Sequence, residues 1–274
     1  MDYSVLMSVY YKEKPEYLRQ SMESIFAQTV PTNDFVLVCD GPLGSELDAV
    51  ISDMQERHAD VLHVIRLEKN MGLGNALNEG IKHCKNELVA RMDSDDISRP
   101  DRCEQQLIAF RNMPDVSIIS GTVEEFFISR ESIDAQRVLP KKHEDILRFA
   151  KKRNPFNHPC VMYKKTAVEA AGGYQDFYLL EDYYLWIRML MNGAMGYNLE
   201  KPLLWMRTGN GMYKRRSGWK YAKSQKALFL YMKNNSFISE TEYKKSTALR
   251  LVASLMPNYA RKLIYMKILR NENK

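Results

Sequence analysis

The sequence predicts an α/β protein whose mostly parallel sheet is flanked by helices on both faces. Two observations support this prediction. Between residues 4 and 92, four short apolar runs alternate with three segments in which apolar residues recur at helical spacing. The apolar runs are continuous, which is typical of parallel strands covered on both faces. With 274 residues, 45% of them hydrophobic, the chain is long enough to bury a sizeable core.

The first third of the chain contains the most regular part of this pattern. Strands are predicted at 4–9, 35–39, 63–67 and 87–92, and helices at 15–27, at 45–58 and over a segment that ends near 84. Right-handed connections between parallel strands place the ends of all four strands along one edge of the sheet, where open α/β sheets bind ligands. We therefore expect Tyr10, Asp40, Asn70 and Asp93 to lie along that edge.

Beyond residue 114 the pattern is less regular. Strands are predicted at 116–121, 123–128 and 160–163, a polar stretch at 129–142, a turn at 172–173, and helices at 183–191, 219–233, 240–255 and after 257. We predict one α/β domain over residues 1–207, followed by a basic helical extension over residues 208–274.

The net charge of +6 is unevenly distributed along the chain. Residues 1–204 contain 24 Lys and Arg against 31 Asp and Glu, whereas residues 205–274 contain 16 against 3. The two parts therefore carry net charges of −7 and +13. The basic part indicates a polyanionic partner, which is a membrane surface, a nucleic acid or a diphosphate substrate.

The sequence does not predict a segment that crosses a membrane. No run of 18 apolar residues occurs and the N-terminus leads directly into a predicted strand, so we expect neither a spanning helix nor a signal peptide. The four cysteines are far apart and lack the spacing of a zinc site or a disulfide framework. We therefore expect a cytoplasmic protein in which the cysteines act as small apolar residues.

Three aspartates lie within four residues directly after the fourth predicted strand: Asp93, Asp95 and Asp96. Like charges this close repel one another unless a cation lies among them. Hard oxygen ligands on a loop suit Mg²⁺ or Mn²⁺, and such ions are commonly held by one or two carboxylates together with substrate phosphates. A metal site therefore also implies a phosphorylated substrate. The alternative is a solvated acidic turn that caps the helix expected near Pro100.

Two further features have both a functional and a structural interpretation. The Gly72-Leu73-Gly74 segment is too short for a dinucleotide fingerprint, and the chain has no glycine-rich lysine loop for nucleoside triphosphates. The backbone amides of the Gly72-Leu73-Gly74 segment either approach an anion at a helix N-terminus or only shape a turn. Glu181 and Asp182 precede an apolar helix, so they either serve a site or cap the positive end of that helix.

Taken together, these segments resemble the family 2 glycosyltransferases with the GT-A fold, over roughly residues 3–207. The resemblance rests on five motifs in the expected order: Ser8-Val9-Tyr10-Tyr11, Asp40-Gly41, residues 70–78, Asp93-Ser94-Asp95-Asp96 and Glu181-Asp182. It is strongest to bacterial enzymes that build the repeat units of O-antigen, capsule or exopolysaccharide.

The resemblance implies how the site residues divide between donor binding and catalysis. The donor nucleotide would contact Tyr10, Tyr11, Glu13, Asp40, Asn70, Gly72, Asn75, Asp93 and Ser94. Asp40 would accept from the uracil, and Asp93 and Asp95 would hold an Mn²⁺ or Mg²⁺ ion. Asp182 would be the general base that removes the acceptor hydroxyl proton, with Glu181 as helper or alternative. A direct displacement with inversion at the sugar follows.

For several other residues, more than one role is consistent with the sequence. His158 is a structural histidine, a contact to the diphosphate or the acceptor, or a metal ligand. Four basic residues follow the predicted core: Arg207, Lys214, Arg215 and Arg216. They either fold over the diphosphate as a lid or form a solvated basic face. The last predicted helix suits either an anionic membrane surface or packing on the catalytic domain.

The function implied by the resemblance is transfer of a hexose or N-acetylhexosamine from a UDP-sugar to a lipid-linked saccharide in surface polysaccharide biosynthesis. Expected partners are the UDP-sugar, the acceptor, an anionic surface on the inner face of the cell membrane and a second copy of the chain, but no nucleic acid. One alternative is a sugar nucleotidyltransferase, whose glycine- and lysine-rich N-terminal signature is missing here. The other is a nucleic-acid-binding protein that uses the basic tail, although the core is acidic and no base-reading motif is present.

Overall fold

A mixed nine-stranded sheet organises residues 1–209 and 218–255, the part of the chain that the structure, a computed structural model, describes. Its strands are β1 (Tyr3–Val9), β2 (Asp34–Cys39), β3 (Leu62–Arg66), β4 (Leu88–Asp93), β5 (Ile97–Ser98), β6 (Val116–Phe126), β7 (Ala135–Arg137), β8 (Met162–Lys164) and β9 (Met195–Arg207). The helices are α1 (Pro15–Phe26), α2 (Ser45–Arg57), α3 (Leu73–His83), α4 (Arg102–Asn112), α5 (His143–Ala150), α6 (Lys165–Ala170), α7 (Glu181–Met191), α8 (Gly218–Asn234) and α9 (Glu240–Leu255).

Four parallel strands, in the order β3-β2-β1-β4, form one half of the sheet. Val9 at the end of β1 pairs with Cys39 at the end of β2, and Ser8 pairs with Asp93 at the end of β4. The C-terminal ends of these strands therefore lie side by side, as the right-handed connections predict. The sheet continues through β8, β6, β9 and β5, and β8 is antiparallel to both of its neighbours.

Apolar residues cover both faces of this sheet. Along β1, Val5 and Met7 belong to a buried cluster with α1, α2 and α4, whereas Leu6 belongs to a second cluster with α3 and α7. This alternation follows from the two-residue period of a strand, which sends successive side chains to opposite faces. Phe229 of α8 is part of the second cluster, so α8 packs on the α/β domain. The predicted fold class, a mostly parallel sheet between helical layers, is confirmed.

The region predicted as two strands, 116–121 and 123–128, is one strand, β6. The predicted gap at Thr122 coincides with a shift of register against β9. A Cβ at Gly121 would lie 2.6 Å from the Leu203 side chain, so the glycine permits close approach of the two strands. A bulge, not a strand end, explains the local signal.

The longest strand, β9, is absent from the sequence prediction. Pro202 lies within it, and a proline within a run usually argues against a strand. Its pairing with β6 nevertheless continues on both sides of Pro202 through the same irregular register. Arg207, predicted to follow the core, is the last residue of this strand. That placement was wrong because β9 is held by long-range pairing with β6 instead of by a local pattern.

Four further elements differ from the prediction or refine its bounds. The helices α5 and α6 are only 8 and 6 residues long, too short to show a clear helical period. The segment predicted as a strand at 160–163 consists of a 3-10 turn, His158–Cys160, followed by β8 from Met162. The helix expected near Pro100 begins at Arg102.

All four cysteines are buried and free, as predicted. Among the described helices, none is both long enough and apolar enough to cross a membrane. The predicted helix after Pro257 lies outside the described residues.

Candidate active site

The loop between β4 and β5 brings three carboxylates together. Asp93, Asp95 and Asp96 each offer an oxygen atom, and these atoms lie within 4.8 Å of one another. Asp96 is only 2% exposed, so this is not a solvated turn. The residue that precedes α4 is Asp101, and no side chain caps that helix. The helix-capping alternative for the three aspartates is therefore wrong.

Burial and mutual repulsion shape the electrostatics of this loop. Burial, and then the carboxylates of Asp93 and Glu13, raise the pKa of Asp95 to about 7. Burial, and then Asp95 and Asp93, raise the pKa of Asp96 well above its ordinary value. With all three carboxylates ionised, the loop would therefore carry more negative charge than its surroundings compensate. A divalent cation coordinated by carboxylate oxygens would relieve this repulsion, so the donor set fits Mg²⁺ or Mn²⁺.

Arg91 supplies positive charge beneath the acidic loop. It lies on β4, is 1% exposed and donates from Nη2 to Asp93. Its Nε and Nη1 atoms have no hydrogen-bond partner among the described residues. In the sequence, an arginine within an apolar run indicated an unusual position, but our prediction assigned no role to Arg91.

The end of β1 contributes the side chains next to this loop. Ser94 Oγ donates to Glu13 Oε2 at 2.6 Å, which ties the acidic loop to the turn after β1. Tyr10 and Tyr11 are 38% and 55% exposed, and their rings meet edge to face at 5.8 Å. The structure thus brings Tyr10, Tyr11, Glu13 and Ser94 to the same edge as Asp93.

Asp40 is buried at the end of β2, where its carboxylate holds the loop that precedes α3. Its Oδ1 accepts from the Met71 amide at 2.6 Å, and its Oδ2 accepts from the Gly72 amide and from Asn70 Nδ2, both at 3.0 Å. Gly41 has φ +85°, and a Cβ there would lie 2.5 Å from the Asn70 nitrogen. Only glycine allows this approach.

These bonds bear on the glycine segment before α3. Because the Met71 and Gly72 amides point at Asp40, they are not free for an anion, and this part of the segment shapes a turn. Asn75, in the first turn of α3, donates from Nδ2 to Met71 O at 2.8 Å and is exposed.

Glu181 and Asp182 form the first turn of α7. Asp182 Oδ2 accepts from Asn154 Nδ2 at 2.7 Å, and its Oδ1 accepts from the Tyr183 amide at 2.6 Å. Burial, and then Asp182, raise the pKa of Glu181 to about 7. A Cβ on Gly74 would lie 3.8 Å from the Glu181 Cβ, so the start of α7 packs against the start of α3. Two helix N-termini therefore place the acid pair beside the loop that Asp40 holds.

His158 lies against α7 in an aromatic cluster. Its Nε2 is 3.0 Å from the Tyr174 hydroxyl, and its ring meets Trp186 edge to face at 5.8 Å. Burial, and then the positive charge of Arg91, lower the pKa of His158 well below its ordinary value. The histidine is therefore neutral, and it is not among the residues that cluster with Asp93 as candidate metal ligands in the described chain.

Arg207 closes the acidic loop from the side of β9. Its amide donates to Asp96 Oδ1 at 2.8 Å, and its Nε donates to Asp95 O at 3.0 Å. Its guanidinium lies 3.8 Å from the centre of the Tyr17 ring. These contacts hold Arg207 in place beside the acidic loop. Lys214, Arg215 and Arg216 lie outside the described residues.

The family can now be decided by comparison with known proteins. A model of the family described as "Glycosyl transferase family 2" matches residues 4–171, more than half of the chain. The chain belongs to glycosyl transferase family 2. It is a glycosyltransferase, as the five motifs predicted, and the nucleotidyltransferase and nucleic-acid-binding alternatives are not supported.

Relatives of this glycosyltransferase match over almost its whole length. The amylovoran biosynthesis glycosyltransferase AmsE of Erwinia amylovora is 40% identical over 97% of this chain and 98% of its own. The UDP-Gal:alpha-D-GlcNAc-diphosphoundecaprenol beta-1,3-galactosyltransferase of Escherichia coli is 39% identical over 98% of this chain and 96% of its own.

Solved structures share the fold of this glycosyltransferase. The S. aureus TarS fragment 1-349 in complex with UDP-GlcNAc superposes with a TM-score of 0.67 at 17% identity, over 92% of this chain and 72% of that one. The mannosyltransferase PcManGT from Pyrobaculum calidifontis, in complex with GDP-Man and Mn2+, superposes with a TM-score of 0.64 at 15% identity, over 97% and 79%.

Asn154 contacts a candidate site residue, Asp182, and the sequence did not predict this contact. It lies outside every motif that we recognised, in a turn after α5, and its contact with Asp182 joins residues 28 positions apart. No local signal in the sequence pointed to it.

Proposed function

We propose that this glycosyltransferase is an inverting, metal-dependent enzyme. It transfers a hexose or N-acetylhexosamine from a UDP-sugar to a lipid-linked saccharide in surface polysaccharide biosynthesis. The observation that carries the proposal is the cluster of three carboxylates, Asp93, Asp95 and Asp96, whose oxygen atoms lie within 4.8 Å of one another beside the ends of β1 and β2. The names of the Escherichia coli and Erwinia amylovora relatives support the donor, the acceptor and the process.

The donor nucleotide would lie across the ends of β1, β2 and β4. The exposed rings of Tyr10 and Tyr11 offer apolar faces to the base. Asp40 accepts three hydrogen bonds from residues 70–72, and a carboxylate has about four acceptor positions, which leaves capacity for a uracil N–H. We assign the remaining donor contacts to Glu13, Asn70, Gly72, Asn75, Asp93 and Ser94.

Asp93 and Asp95 are the residues that would hold Mn²⁺ or Mg²⁺. When bound, the ion would supply positive charge that stabilises the diphosphate leaving group. A fold neighbour in complex with Mn2+ supports this assignment. Asp96, which accepts from the Arg207 amide, would keep the loop in place.

Asp182 is the proposed general base. The Asn154 amide group and the Tyr183 amide hold its carboxylate in one orientation, as a base in an active site requires. Asp182 would take the proton of the acceptor hydroxyl as that oxygen forms a bond to C1 of the sugar. The bond from C1 to the diphosphate oxygen breaks, and its electron pair leaves with UDP. One displacement inverts the configuration at C1. Glu181 stays the alternative base, because a pKa of about 7 also suits proton transfer near neutral pH.

The basic C-terminal part, residues 208–274, would serve the substrate and the membrane. We propose that Arg215 contacts the diphosphate of a substrate and that the segment attracts the enzyme to an anionic membrane surface, where a lipid-linked acceptor resides. His158, buried against Tyr174, would support the acceptor side of the site instead of contacting substrate. A homodimer stays a prediction.

The proposed function is tested by transfer from UDP-sugars to a lipid-linked N-acetylhexosamine. We expect product with one UDP-sugar, dependence on Mn²⁺ or Mg²⁺, and inversion at C1 read by NMR. A product that retains the donor's anomeric configuration would rule out the single displacement. Turnover with other nucleotide sugars but with none carrying UDP would rule out the donor assignment.

A further inference from the structure

The loop that leads into the acid pair carries an exposed aromatic residue. Tyr178, three residues before Glu181, is 40% exposed. Directly after it, Leu179 has φ +59°, a left-handed conformation that is unfavourable for a residue with a Cβ. Such strain persists only where surrounding contacts impose it, and it concentrates at functional sites.

The first turns of α8 contact Tyr178, the residue directly before this left-handed position. Ser224 Oγ donates to the Tyr178 carbonyl at 2.8 Å, and Lys220 Nζ lies 4.0 Å from the centre of the Tyr178 ring. The neighbouring Phe177 packs on Tyr184 of α7, with ring centres 4.6 Å apart. The C-terminal extension therefore contacts both the backbone and the ring of Tyr178, in the loop that leads to the candidate base pair.

Two features at this position suit a sugar that carries a phosphate group. Lys220 Nζ lies over the Tyr178 ring, and the exposed part of that ring offers an electron-rich surface to the C–H groups of a sugar. The ammonium group of Lys220 offers a positive charge to phosphate oxygens.

With Asp182 as the proposed base, this position lies on the acceptor side of the site. The donor residues stand at the ends of β1, β2 and β4, whereas Tyr178 lies in the loop that begins the helix of the proposed base. A ligand on Tyr178 would therefore approach from the side of Glu181 and Asp182. An acceptor sugar attached to a lipid through a diphosphate has the required chemistry, with an anionic group next to a sugar ring.

We propose that Tyr178 and Lys220 form the acceptor subsite, in which Tyr178 packs on the acceptor sugar and Lys220 pairs with the diphosphate attached to it. The proposal rests on the proposed function for the class of acceptor. It gives the C-terminal extension a direct part in recognising substrate, because Lys220 belongs to α8 and Tyr178 is held by α8.

Binding of two soluble probes by calorimetry tests this subsite in the full chain. One probe is N-acetylglucosaminyl diphosphate with a short alkyl chain, and the other is the alkyl glycoside of the same sugar without the diphosphate. Lys220→Ala should weaken binding of the diphosphate probe by about tenfold or more, as expected for a hydrogen bond to a charged group. Binding of the glycoside should be unchanged. Tyr178→Ala should weaken both probes, and Tyr178→Phe should restore most of that loss because it keeps the ring.

Lys226→Ala provides the matched control. Lys226 is also exposed on α8, but it lies six residues further along the helix than Lys220. The control removes the same charge, so equal losses at both positions would show a general attraction for anions and overturn the subsite. Unchanged binding in Lys220→Ala and Tyr178→Ala, or no binding of either probe by the wild type, would also overturn it. UDP affinity and the thermal midpoint of each variant confirm that the fold and the donor site are intact.

The same variants separate this proposal from the proposed function. Transfer to the diphosphate acceptor with a wild-type KM in Lys220→Ala and Tyr178→Ala would reject the subsite and leave the function standing. Probe binding that depends on both residues, without transfer from any UDP-sugar, would reject the function and leave the subsite standing.

Discussion

Arg91 donates from its buried guanidinium to the carboxylate of Asp93, two residues further along the same strand. Its charge also lowers the pKa of Asp95, Asp96 and Glu181 against the larger effects that raise them. One buried cation therefore balances part of the negative charge of both the candidate metal site and the candidate base pair.

Replacing Arg91 by methionine should destabilise the protein. Removal of one partner of a buried ion pair typically costs about 3–5 kcal/mol, and because the Asp93 side chain is 33% exposed, the lower end of this range applies. We expect Arg91→Met to lower the free energy of unfolding in urea by about 3 kcal/mol at neutral pH. Arg19→Met is the control, because Arg19 pairs with Asp53 at the surface and such pairs contribute about 1 kcal/mol or less. Equal losses in the two variants would contradict a central role for Arg91.

Divalent cations should strengthen UDP binding. Without a cation, the diphosphate meets Asp93 and Asp95 as like charges, so calorimetry should give tighter UDP binding with Mn²⁺ or Mg²⁺ than with a chelator. Asp95→Ala should remove most of this gain. Asp101→Ala should retain it, because Asp101 pairs with Lys201 and is not part of the carboxylate cluster. The same UDP affinity with metal and with chelator would refute the metal site.

Asp95 should make the metal-free protein less stable as pH rises. Its pKa is raised from 3.8 to about 7 in the folded state, so between these values the folded protein binds a proton that the unfolded chain has released. Stability therefore falls across that window and levels off above about pH 7. His158 acts with the opposite sign, because its lowered pKa favours folding as pH rises towards 6.5.

The difference between wild type and Asp95→Asn isolates this effect. Measured by urea unfolding with a chelator between about pH 5 and pH 8, the variant should gain stability relative to wild type up to about pH 7. Added Mn²⁺ should flatten the decline in the wild type, since the ion favours the ionised carboxylates. A difference between the two proteins that does not change with pH would refute the raised pKa of Asp95.

Asp182→Asn should separate chemistry from donor binding. Loss of a general base lowers the rate by about 10²–10⁴-fold, whereas the affinity for the UDP-sugar should stay close to that of the wild type. Asn154→Ala should show a smaller loss of rate, because it releases Asp182 from one of its two hydrogen bonds. Glu181→Gln should be milder than Asp182→Asn.

The pH dependence of the rate tests the choice within the acid pair. A base acts only when deprotonated, so a rate that rises with pH through about 7, and loses this rise in Glu181→Gln, would move the base to Glu181. Near-native turnover in Asp182→Asn would lead to the same reassignment.

Asp40→Asn should loosen the loop before α3 and weaken UDP binding. Both carboxylate oxygens of Asp40 accept backbone N–H groups, and an asparagine would turn an NH₂ group towards one of these donors. We expect UDP affinity to fall by about tenfold and hydrogen exchange at Met71 and Gly72 to become faster. Asp48→Asn, in an exposed pair with Arg66, is the control. Slow exchange at Met71 and Gly72 in the Asp40 variant would contradict the role of Asp40 in holding this loop.

The first four strands and three helices can be predicted from sequence, because each is encoded by residues that are neighbours in the chain. Continuous apolar runs indicate β1 to β4, and helical spacing of apolar residues indicates α1 to α3. The handedness of the connections then places Asp40 and Asp93 at one edge without further information. Local patterns do not predict β9, because it contains Pro202 and is stabilised by its pairing with β6.

By itself the sequence determined the family, the α/β fold class and the motif residues, because these depend on residue type and on spacing along the chain. Only the tertiary structure decided which partners these residues have. Asn154 reaches Asp182, Arg207 reaches Asp96, and the Met71 amide reaches Asp40. Each contact joins residues far apart in the chain and depends on strand register and helix packing, which no local pattern encodes. Burial has the same origin, since Asp95 acquires its raised pKa only when the folded chain excludes water and brings Asp93 and Glu13 beside it.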